Sequence, residues 1–436
     1  MTFVTTRHPD APGVSFSTAL FDGLAPDGGL YVPSSIEPWG TAYLAALRGW
    51  DLGRIGTRTI EPFLRGELDA DRLRAVVGEA LDFEMPLVEV EPGIFALELF
   101  HGPTLAFKDV GARVMARLMA ALYIGDDAIT ILVATSGDTG GAVAHAYHGV
   151  PHTRVVVLYP DGRVSPTQEA QLTMFNGEAG SNVKAYAVDG SFDDCQRLVK
   201  SAFADPVLAA RLSSANSINM GRLLPQMVYY GHAVAQLQRL GLGSSAAVFS
   251  TPSGNFGNLT AGLMMKRAGL PIAHFIAATN ANDVVPAYLE TGRFEPRASI
   301  HTIANAMDVG NPSNFDRIMW LYGGDVDAVR RDITGSRHDD DEVRATIRRV
   351  HEERGYLLDP HSAIAYLGLK DYVASGLSRT SPGIFLATAH PAKFNEVVEP
   401  IIGQPIPKPP ALVDALKRRH VIARLEATLD SVKTIL

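Results

Sequence analysis

The sequence has little of several features that mark common classes of protein. Its 436 residues contain one cysteine, Cys195, which excludes an intramolecular disulfide and suits a reducing compartment. The formal net charge is −8, whereas general nucleic-acid binding needs a basic surface. We find no zinc-ligand spacing and no apolar run near the ~18 residues of a membrane span. The first residues lack the basic and apolar segments of a signal peptide, so we expect a cytoplasmic protein without nucleic-acid or membrane partners.

What is present indicates a folded α/β protein of more than one domain. Hydrophobic residues make up 46% of the chain and charged residues 20%, which is ordinary for a globular protein, and the length exceeds one simple core. Residues 1–90 show helical patterns near 42–47 and 70–81 without strand–helix alternation, which predicts a mostly helical N-terminal domain. Beyond residue 91, short β-branched runs alternate with helical stretches, and this alternation predicts parallel sheets with helices on both faces. The strand-like runs lie at 94–99, 128–134, 154–159, 182–188, 246–251 and 272–278.

One stretch, LFHGPTLAFKD at 99–109, organises the rest of the chain around Lys108. Gly102 and Pro103 mark a turn, and the apolar spacing after Lys108 predicts a helix that begins there. The positive end of a helix lowers the pKa of a nearby amine, as a nucleophile or base requires. The ordinary interpretation is a lysine whose stem lies along the helix and whose ammonium meets Asp109 or water.

A second segment, SGNFGN at 253–258, joins a predicted strand to a predicted helix. Gly254 and Gly257 allow close approach of the backbone to a ligand, and the helix start offers open N–H groups for a phosphate. No Walker motif or GxGxxG is present, which argues against a nucleotide or nicotinamide site. An ordinary tight turn is the alternative.

Three further segments carry polar side chains at the ends of predicted elements. SGDTGG at 136–141 follows a strand and offers hydroxyls and N–H groups, or simply caps a helix. NSINMGR at 216–222 offers Asn216, Ser217 and Arg222 for a second anion, although Arg222 on a solvated face is the local alternative. TAHPAKF at 388–394 follows another strand, so Thr388 and Lys393 are candidates for a cleft.

Together, a reactive lysine and a phosphate cup without a nucleotide motif favour pyridoxal 5′-phosphate. The aldehyde of this cofactor forms a Schiff base with an amine, and its ring withdraws electrons. The second candidate anion site then predicts a phosphorylated amino-acid substrate.

At these residues the chain resembles the threonine synthase family, within the pyridoxal-phosphate enzymes that include tryptophan synthase β-subunits and serine/threonine dehydratases. The resemblance covers nearly the whole chain, and an N-terminal signature, VSFSTALFDGLAPDGGLYVP at 14–33, separates it from the dehydratases. Within this family, the chain resembles the bacterial and fungal type. The matching segments are HGPTLAFKD, SGDTGGAVAHA, SPTQEAQ, SANSINMGRLLPQ, PSGNFGNLTAG, FIAATNANDVVP, NAMDVGNPSNF and TAHPAKF.

The resemblance implies a role for each matching position. Lys108 would bond to the cofactor aldehyde and then move protons, and Thr388 would hydrogen-bond the pyridine nitrogen. The cofactor phosphate would lie on Gly254, Asn255, Phe256, Gly257 and Asn258. Thr104, Ser136, Thr139 and Asp138 would surround the substrate carboxylate and the cofactor's 3′-oxygen; related enzymes often have Asn in place of Asp138, and an ionised carboxylate there would be repelled. The residues expected to hold the substrate phosphate are Asn216, Ser217, Arg222, Lys393 and Arg163.

The resemblance also implies an architecture of fold type II. It has two doubly wound parallel-sheet domains: a large cofactor domain at 91–127 and 206–436, and a smaller mobile α/β domain at 128–205. The N-terminal domain at 1–90 is added to these. We expect no metal, and a monomer or small homo-oligomer.

The implied reaction converts O-phospho-L-homoserine and water to L-threonine and phosphate by β,γ-elimination and replacement, the last step of threonine biosynthesis. The nearest alternative is a phospho-lyase or dehydratase with the same cofactor that releases α-ketobutyrate. A non-catalytic protein on the same scaffold is the alternative from another class, although it would not need Lys108 or the SGNFGN loop. Product identity distinguishes the first two readings, and absorbance of the bound cofactor tests the third.

Overall fold

The computed structural model describes residues 1–376 and 381–436, whose strands form sheets of two, six and five members. The six-stranded sheet has the order β11-β10-β9-β12-β4-β3, the five-stranded sheet has the order β13-β7-β6-β5-β8, and β1 pairs with β2. The strands are β1 (Phe3–Thr5), β2 (Tyr31–Pro33), β3 (Leu87–Glu91), β4 (Ile94–Glu98), β5 (Ile129–Ala134), β6 (Thr153–Pro160), β7 (Val183–Asp189), β8 (Leu212–Ser213), β9 (Ala247–Pro252), β10 (Ile272–Thr279), β11 (Ile333–Arg337), β12 (Gly383–Ala387) and β13 (Ala423–Glu426).

Helices cover the faces of the larger sheets and build the N-terminal region. They are α1 (Phe16–Asp22), α2 (Thr41–Ala46), α3 (Leu52–Ile60), α4 (Ala70–Ala80), α5 (Lys108–Leu122), α6 (Asp138–Tyr147), α7 (Pro166–Thr173), α8 (Phe192–Ala204), α9 (Pro206–Ala209), α10 (Met220–Leu223), α11 (Met227–Arg239), α12 (Gly257–Arg267), α13 (Val284–Thr291), α14 (Phe315–Leu321), α15 (Val326–Asp332), α16 (Asp340–Arg354), α17 (Pro360–Ala374), α18 (Asn395–Ile402), α19 (Pro410–Lys417) and α20 (Leu429–Ile435). Short 3₁₀ helices lie at Leu47–Gly49, Glu61–Leu64, Leu224–Gln226, Asn305–Met307 and Pro391–Phe394.

Every pairing in the five-stranded sheet is parallel, and so is every pairing in the six-stranded sheet except β3 with β4. Strands such as β5, with the sequence ITILVA, are almost wholly buried because helices cover both faces of the sheet. This confirms the α/β class with two parallel-sheet layers. The antiparallel edge strand β3 was not predicted; a turn at Pro92 and Gly93 folds it back on β4.

The predicted strands and helices are present with small shifts at their ends. The run at 94–99 is β4, that at 246–251 is β9, and the helix predicted at 70–81 is α4. Cys195 is fully buried in α8, and its helix begins with a capping box at Ser191 and Asp194.

The N-terminal region packs on the cofactor-domain helices rather than apart from them. Helix α4 contacts α5, α3 contacts α11, and their buried side chains belong to one apolar cluster that reaches both larger sheets. The five-stranded sheet takes three strands from 128–205 and adds β8 and β13 from outside that segment. The division of the chain into three domains therefore stays a proposal. No helix in the described ranges is long and apolar enough to cross a membrane.

Candidate active site

Three neighbouring strands of the six-stranded sheet end at three of the predicted segments. Strand β9 leads into 253–258, β12 leads into Thr388, and β4 leads into the loop before Lys108. Their adjacency brings these segments together at the carboxyl edge of the sheet, where ligands of such folds bind. The loop after β5 of the other sheet carries Asp138, whose Oδ2 atom lies 3.9 Å from Lys108 Nζ. The site therefore lies between the two parallel sheets.

The loop before Lys108 is held by a buried carboxylate. Asp109 accepts hydrogen bonds from the Thr104 N–H at 2.8 Å and from the Thr104 hydroxyl at 2.6 Å. A Cβ at Gly102 would lie 2.5 Å from Asp109 Oδ2, so only glycine permits this approach. Since Thr104 occupies Asp109, the ammonium of Lys108 does not pair with its sequence neighbour.

Lys108 is the first residue of α5, with 15% of its side chain exposed. Burial lowers the pKa of Lys108 to about 8, Asp138 opposes this shift, and the cations of Lys393 and Arg222 add to it. About a tenth of its amine is thus uncharged near pH 7, far more than for an ordinary lysine, and the uncharged form is the one that attacks an aldehyde.

Asp138 lies in a buried ion pair with a second lysine. Lys393 Nζ is 2.9 Å from Asp138 Oδ1 and donates at 2.7 Å to the Thr104 carbonyl, and its side chain has no exposure. Burial opposes ionisation of Asp138, yet Lys393, Lys108 and His361 together hold its pKa well below the ordinary value. The contacts do not support the prediction of Lys393 as a phosphate ligand. The hydroxyl of Thr104 likewise donates to Asp109, which does not support the prediction that Thr104 binds the substrate.

The SGNFGN segment forms a cup of open donors at the start of α12. Phe256 has a φ of 60° and precedes the helix without a side-chain cap. The backbone N–H groups of residues 254–258 donate to no acceptor in the described parts of the chain. Asn258 instead uses its side chain to close the segment, donating at 2.8 Å to the Pro252 carbonyl. Five free donors at a helix N-terminus suit a phosphate. Asn255 is exposed, and its side-chain oxygen accepts from the Ser313 N–H at 3.3 Å.

Thr388 is tied directly to the lysine loop. Its carbonyl accepts a hydrogen bond of 2.8 Å from the Phe107 N–H, while its hydroxyl has no partner among the described residues. His390 caps the following 3₁₀ helix by accepting from the Ala392 N–H at 3.1 Å, so its role is structural. A free hydroxyl beside Lys108 fits a ring nitrogen.

The loop between β5 and α6 presents the second set of open donors. Gly137 has a φ of 142°, a conformation that requires glycine, and Thr135 Oγ1 accepts from the N–H groups of Gly137 and Gly140. Ser136 and Thr139 are half-buried, and their hydroxyls make no hydrogen bond with described residues. The loop is held from inside, so its outer hydroxyls stay available for a carboxylate.

Arg222 is buried rather than solvated, which contradicts the local alternative. It donates to the Ala215 carbonyl, its Nε is buried without a partner, and it forms no ion pair with any described residue. A Cβ at Gly111, one turn after Lys108, would lie 3.0 Å from this Nε. The half-buried Ser217 approaches the cup, since a Cβ at Gly257 would lie 3.7 Å from its Cβ. Asn216 is also half-buried, with no side-chain hydrogen bond to described residues.

Arg163 is the candidate that the structure leaves apart. It is exposed in the turn after β6, and its side chain makes no contact that joins it to the other candidates.

Other buried polar residues of the site carried no role in the sequence analysis. Gln168 donates at 3.3 Å to Asp138 Oδ1 and Gln171 donates at 3.2 Å to the Thr104 carbonyl, both from one face of α7. Their spacing of three within SPTQEAQ is a signal that points both amides the same way. Asp359 accepts at 2.6 Å from His361 Nδ1, and His361 Nε2 accepts at 3.2 Å from the Ala306 N–H.

The donor set fits pyridoxal phosphate. It combines an amine of lowered pKa, a phosphate cup without a carboxylate, and an unpaired hydroxyl at the end of β12. A Cβ at Gly254 would lie 2.9 Å from the Met307 Cα, so glycine is needed for the cup to pack against this neighbouring loop.

Comparisons with known proteins agree with this assignment. Residues 83–387 match the pyridoxal-phosphate dependent enzyme family, residues 2–81 match the threonine synthase N terminus, and residues 362–436 match the threonine synthase C-terminal family. Threonine synthase from Haemophilus influenzae is 46% identical, over 94% of each chain.

Solved structures of threonine synthases match the whole chain, and two of them show how similar the fold is. The crystal structure of threonine synthase from Escherichia coli has a TM-score of 0.90 at 40% identity, covering 100% of this chain and 99% of the other. The pyridoxal-phosphate-bound threonine synthase from Brucella melitensis has a TM-score of 0.92 at 39% identity, covering 100% and 98%. The chain is a pyridoxal-phosphate-dependent lyase with a small-molecule substrate, and it belongs to the threonine synthase family.

Proposed function

We propose that this chain converts O-phospho-L-homoserine and water to L-threonine and phosphate. The observation that carries the proposal is a second set of unfilled donors, on Arg222, in addition to the phosphate cup that accompanies Lys108. The cup at 254–258 accounts for the cofactor phosphate, and the buried guanidinium of Arg222 then remains for a second anion. A phosphate ester of an amino acid meets that requirement, whereas an unphosphorylated amino acid leaves a buried cation unpaired.

The cofactor is held by residues of the six-stranded sheet. The N–H groups of residues 254–258 would hold its phosphate, Lys108 would bond to its aldehyde, and the hydroxyl of Thr388 would hydrogen-bond its ring nitrogen. When bound, pyridoxal phosphate supplies an electron-withdrawing ring that stabilises negative charge at the carbons of the amino acid. A neutral hydroxyl partner leaves that ring nitrogen without a proton.

The substrate is held between the two sheets. Ser136 and Thr139 bind its carboxylate, while Arg222 binds its phosphate with Asn216 and Ser217. Asp138 lies beside the reacting centre, paired with Lys393. Arg163, exposed in its turn, is the weakest of the proposed phosphate ligands.

Lys108 moves the protons of the reaction. Once the substrate amine has displaced it, its free amine removes the α-proton as a general base. Loss of a β-proton then allows the bond between Cγ and the phosphate oxygen to break, with the leaving phosphate held by Arg222. A proton is added at Cγ, water adds at Cβ, and the α-proton returns, so atoms balance as threonine and phosphate. Closure of the smaller domain keeps other water out of the early steps.

The first prediction tests this conversion directly. Purified protein with pyridoxal phosphate and O-phospho-L-homoserine releases phosphate and threonine in equal amounts, and Lys108→Ala abolishes turnover because the base is gone. Lys370→Ala is the matched control, since Lys370 pairs with Glu91 at 2.7 Å away from the site. Phosphate accompanied by α-ketobutyrate would instead assign the chain to the phospho-lyases. No phosphate from protein with bound cofactor would mean that the substrate is wrong.

The cytoplasmic location and the monomeric or small oligomeric state stay predictions.

A further inference from the structure

The buried cluster at the centre of the site contains two lysines and, among residues 1–376 and 381–436, one carboxylate that contacts both. Lys393 lies 2.9 Å from Asp138 Oδ1, and Lys108 lies 3.9 Å from Asp138 Oδ2. A buried cluster is most stable when its charges cancel, so one of the two amines loses its proton more readily than an exposed lysine does. The geometry decides which one does so.

The contacts of Lys393 favour its charged, protonated form. Its ammonium donates to the Asp138 carboxylate and at 2.7 Å to the Thr104 carbonyl, and the side chain has no exposure to water. Lys108 has only the longer contact with Asp138, and 15% of its side chain remains exposed. The arrangement with least buried charge is therefore a Lys393 ammonium, an Asp138 carboxylate and an uncharged Lys108.

We infer that Lys393 is a positioning residue which, by occupying the Asp138 carboxylate, favours the uncharged form of the Lys108 amine that attacks the cofactor aldehyde. The inference rests on the proposed function only in taking Lys108 as the reactive amine. It replaces the prediction that Lys393 binds the substrate phosphate. Without Lys393, the carboxylate would be free to hold Lys108 as an ammonium ion.

The other charged groups that face Lys108 do not take over this role. Arg222 on α10 disfavours an ammonium at Lys108, and Asp359, the N-cap residue of α17, favours one, but Asp359 is committed to His361 at 2.6 Å. Asp109, the next residue of α5, is occupied by Thr104. His361 faces the Asp138 side of the cluster.

Amides from α7 fix the geometry of the pair. Gln168 donates to the same Asp138 oxygen that Lys393 contacts, and Gln171 donates to the same Thr104 carbonyl. The carboxylate is thus turned toward Lys393 by contacts from the five-stranded sheet, while Lys393 itself follows β12 of the six-stranded sheet. The pair therefore depends on both sheets being in contact.

The test measures how fast cofactor-free full-length protein captures pyridoxal phosphate at different pH values, followed by the absorbance change. Only uncharged Lys108 attacks, so the rate rises with pH through the pKa of Lys108, which lies at about 8. Ionisation of the cofactor itself is the same for every variant, so the difference between variants is the readout. This readout does not depend on the identity of the substrate.

Lys393→Met raises the midpoint by about one pH unit or more, which slows capture about tenfold at neutral pH. Asp138→Asn shifts the midpoint in the opposite direction, because it removes the group that favours an ammonium. The double variant returns to the wild-type midpoint or below, Lys393→Arg restores it, and Lys370→Met leaves it unchanged. If Lys393→Met does not fold, as shown by circular dichroism, Lys393→Gln, which keeps a neutral donor at this position, takes its place with the same expected upward shift.

Two results would overturn the inference. One is a folded Lys393→Met variant whose capture profile matches wild type while its KM for the phosphorylated substrate rises, since Lys393 would then be a phosphate ligand. The other is a double variant that behaves like Lys393→Met alone, since Lys393 would then act independently of Asp138. If the capture rates of the variants follow the expected pattern but the protein forms no threonine, only the proposed function is contradicted.

Discussion

Two buried arginines near the site, Arg222 and Arg317, show how a binding residue differs from a structural one. Neither forms an ion pair within the described parts of the chain, and burial lowers the pKa of Arg222 to about 10 and that of Arg317 to about 9. Arg317 donates hydrogen bonds to four acceptors, which are the carbonyls of Tyr31, Ser217 and Ile218 and the Oδ1 atom of Asn314. Its charge is fully solvated by the protein, so it needs no ligand.

Arg222 has the same burial but not the same partners. It donates to one carbonyl, that of Ala215, and its Nε is buried without an acceptor. A buried polar group without a partner costs free energy unless a ligand completes it. The contrast teaches that unfilled donors, rather than charge or burial alone, mark the arginine that binds an anion.

The largest expected effect, on kcat/KM, comes from replacing Arg222, whose donors lack partners. Arg222→Met lowers kcat/KM for the phosphorylated substrate on the order of 10³-fold, about 4 kcal/mol, because a buried charge contact to phosphate is lost. Its unfolding free energy changes by less than about 1 kcal/mol, since few internal hydrogen bonds disappear. Steady-state kinetics and urea titration measure the two effects. Arg222→Lys, with a charge but no fork of donors, falls between wild type and Arg222→Met. A large loss of stability in Arg222→Met would make it structural and end the contrast.

The next effect, on stability, comes from removing the filled arginine. Arg317→Met lowers the unfolding free energy by about 3 kcal/mol, because three carbonyls and an amide oxygen lose their donor in a buried place. Urea titration measures this loss. The kcat/KM of the protein that remains folded falls less than in Arg222→Met. A stable Arg317→Met variant with kinetics as poor as those of Arg222→Met would show that Arg317 also serves the substrate.

The strands and helices, and the carboxyl edge of the six-stranded sheet where the site loops meet, can be predicted from the sequence. Strand β5 and the start of α5 are set by apolar periodicity, and the parallel-sheet rule alone places the loops after β4, β9 and β12 side by side. The open donors of residues 254–258 also follow from a glycine-rich segment before a helix. These features depend on residues close together in the chain.

The partners of the buried charges do not follow from the sequence. Lys393 and Thr104 are separated by 289 positions, and Gln171 and Thr104 by 67. Which of them meet depends on how the two sheets pack, and nothing in TAHPAKF distinguishes a lysine that contacts a ligand from one that contacts Asp138. The same holds for strand β13, which joins the five-stranded sheet from the far end of the chain.

The smallest expected effect applies the comparison to two asparagines in one segment, Asn216 and Asn219. Asn219 is fully buried, donates to the carbonyls of Leu20 and Ser214, and accepts from the Gly221 N–H, whereas the side chain of Asn216 has no partner in the described chain. Asn216→Ala therefore raises KM about fivefold, about 1 kcal/mol, and leaves the urea midpoint unchanged. Asn219→Ala is its matched control and lowers the urea midpoint instead. The two residues lie three positions apart in the same segment, so a general disturbance of that segment would change both KM and the urea midpoint in both variants. A change of KM alone in one variant and of the urea midpoint in the other would instead show that the difference lies in which asparagine already has hydrogen-bond partners.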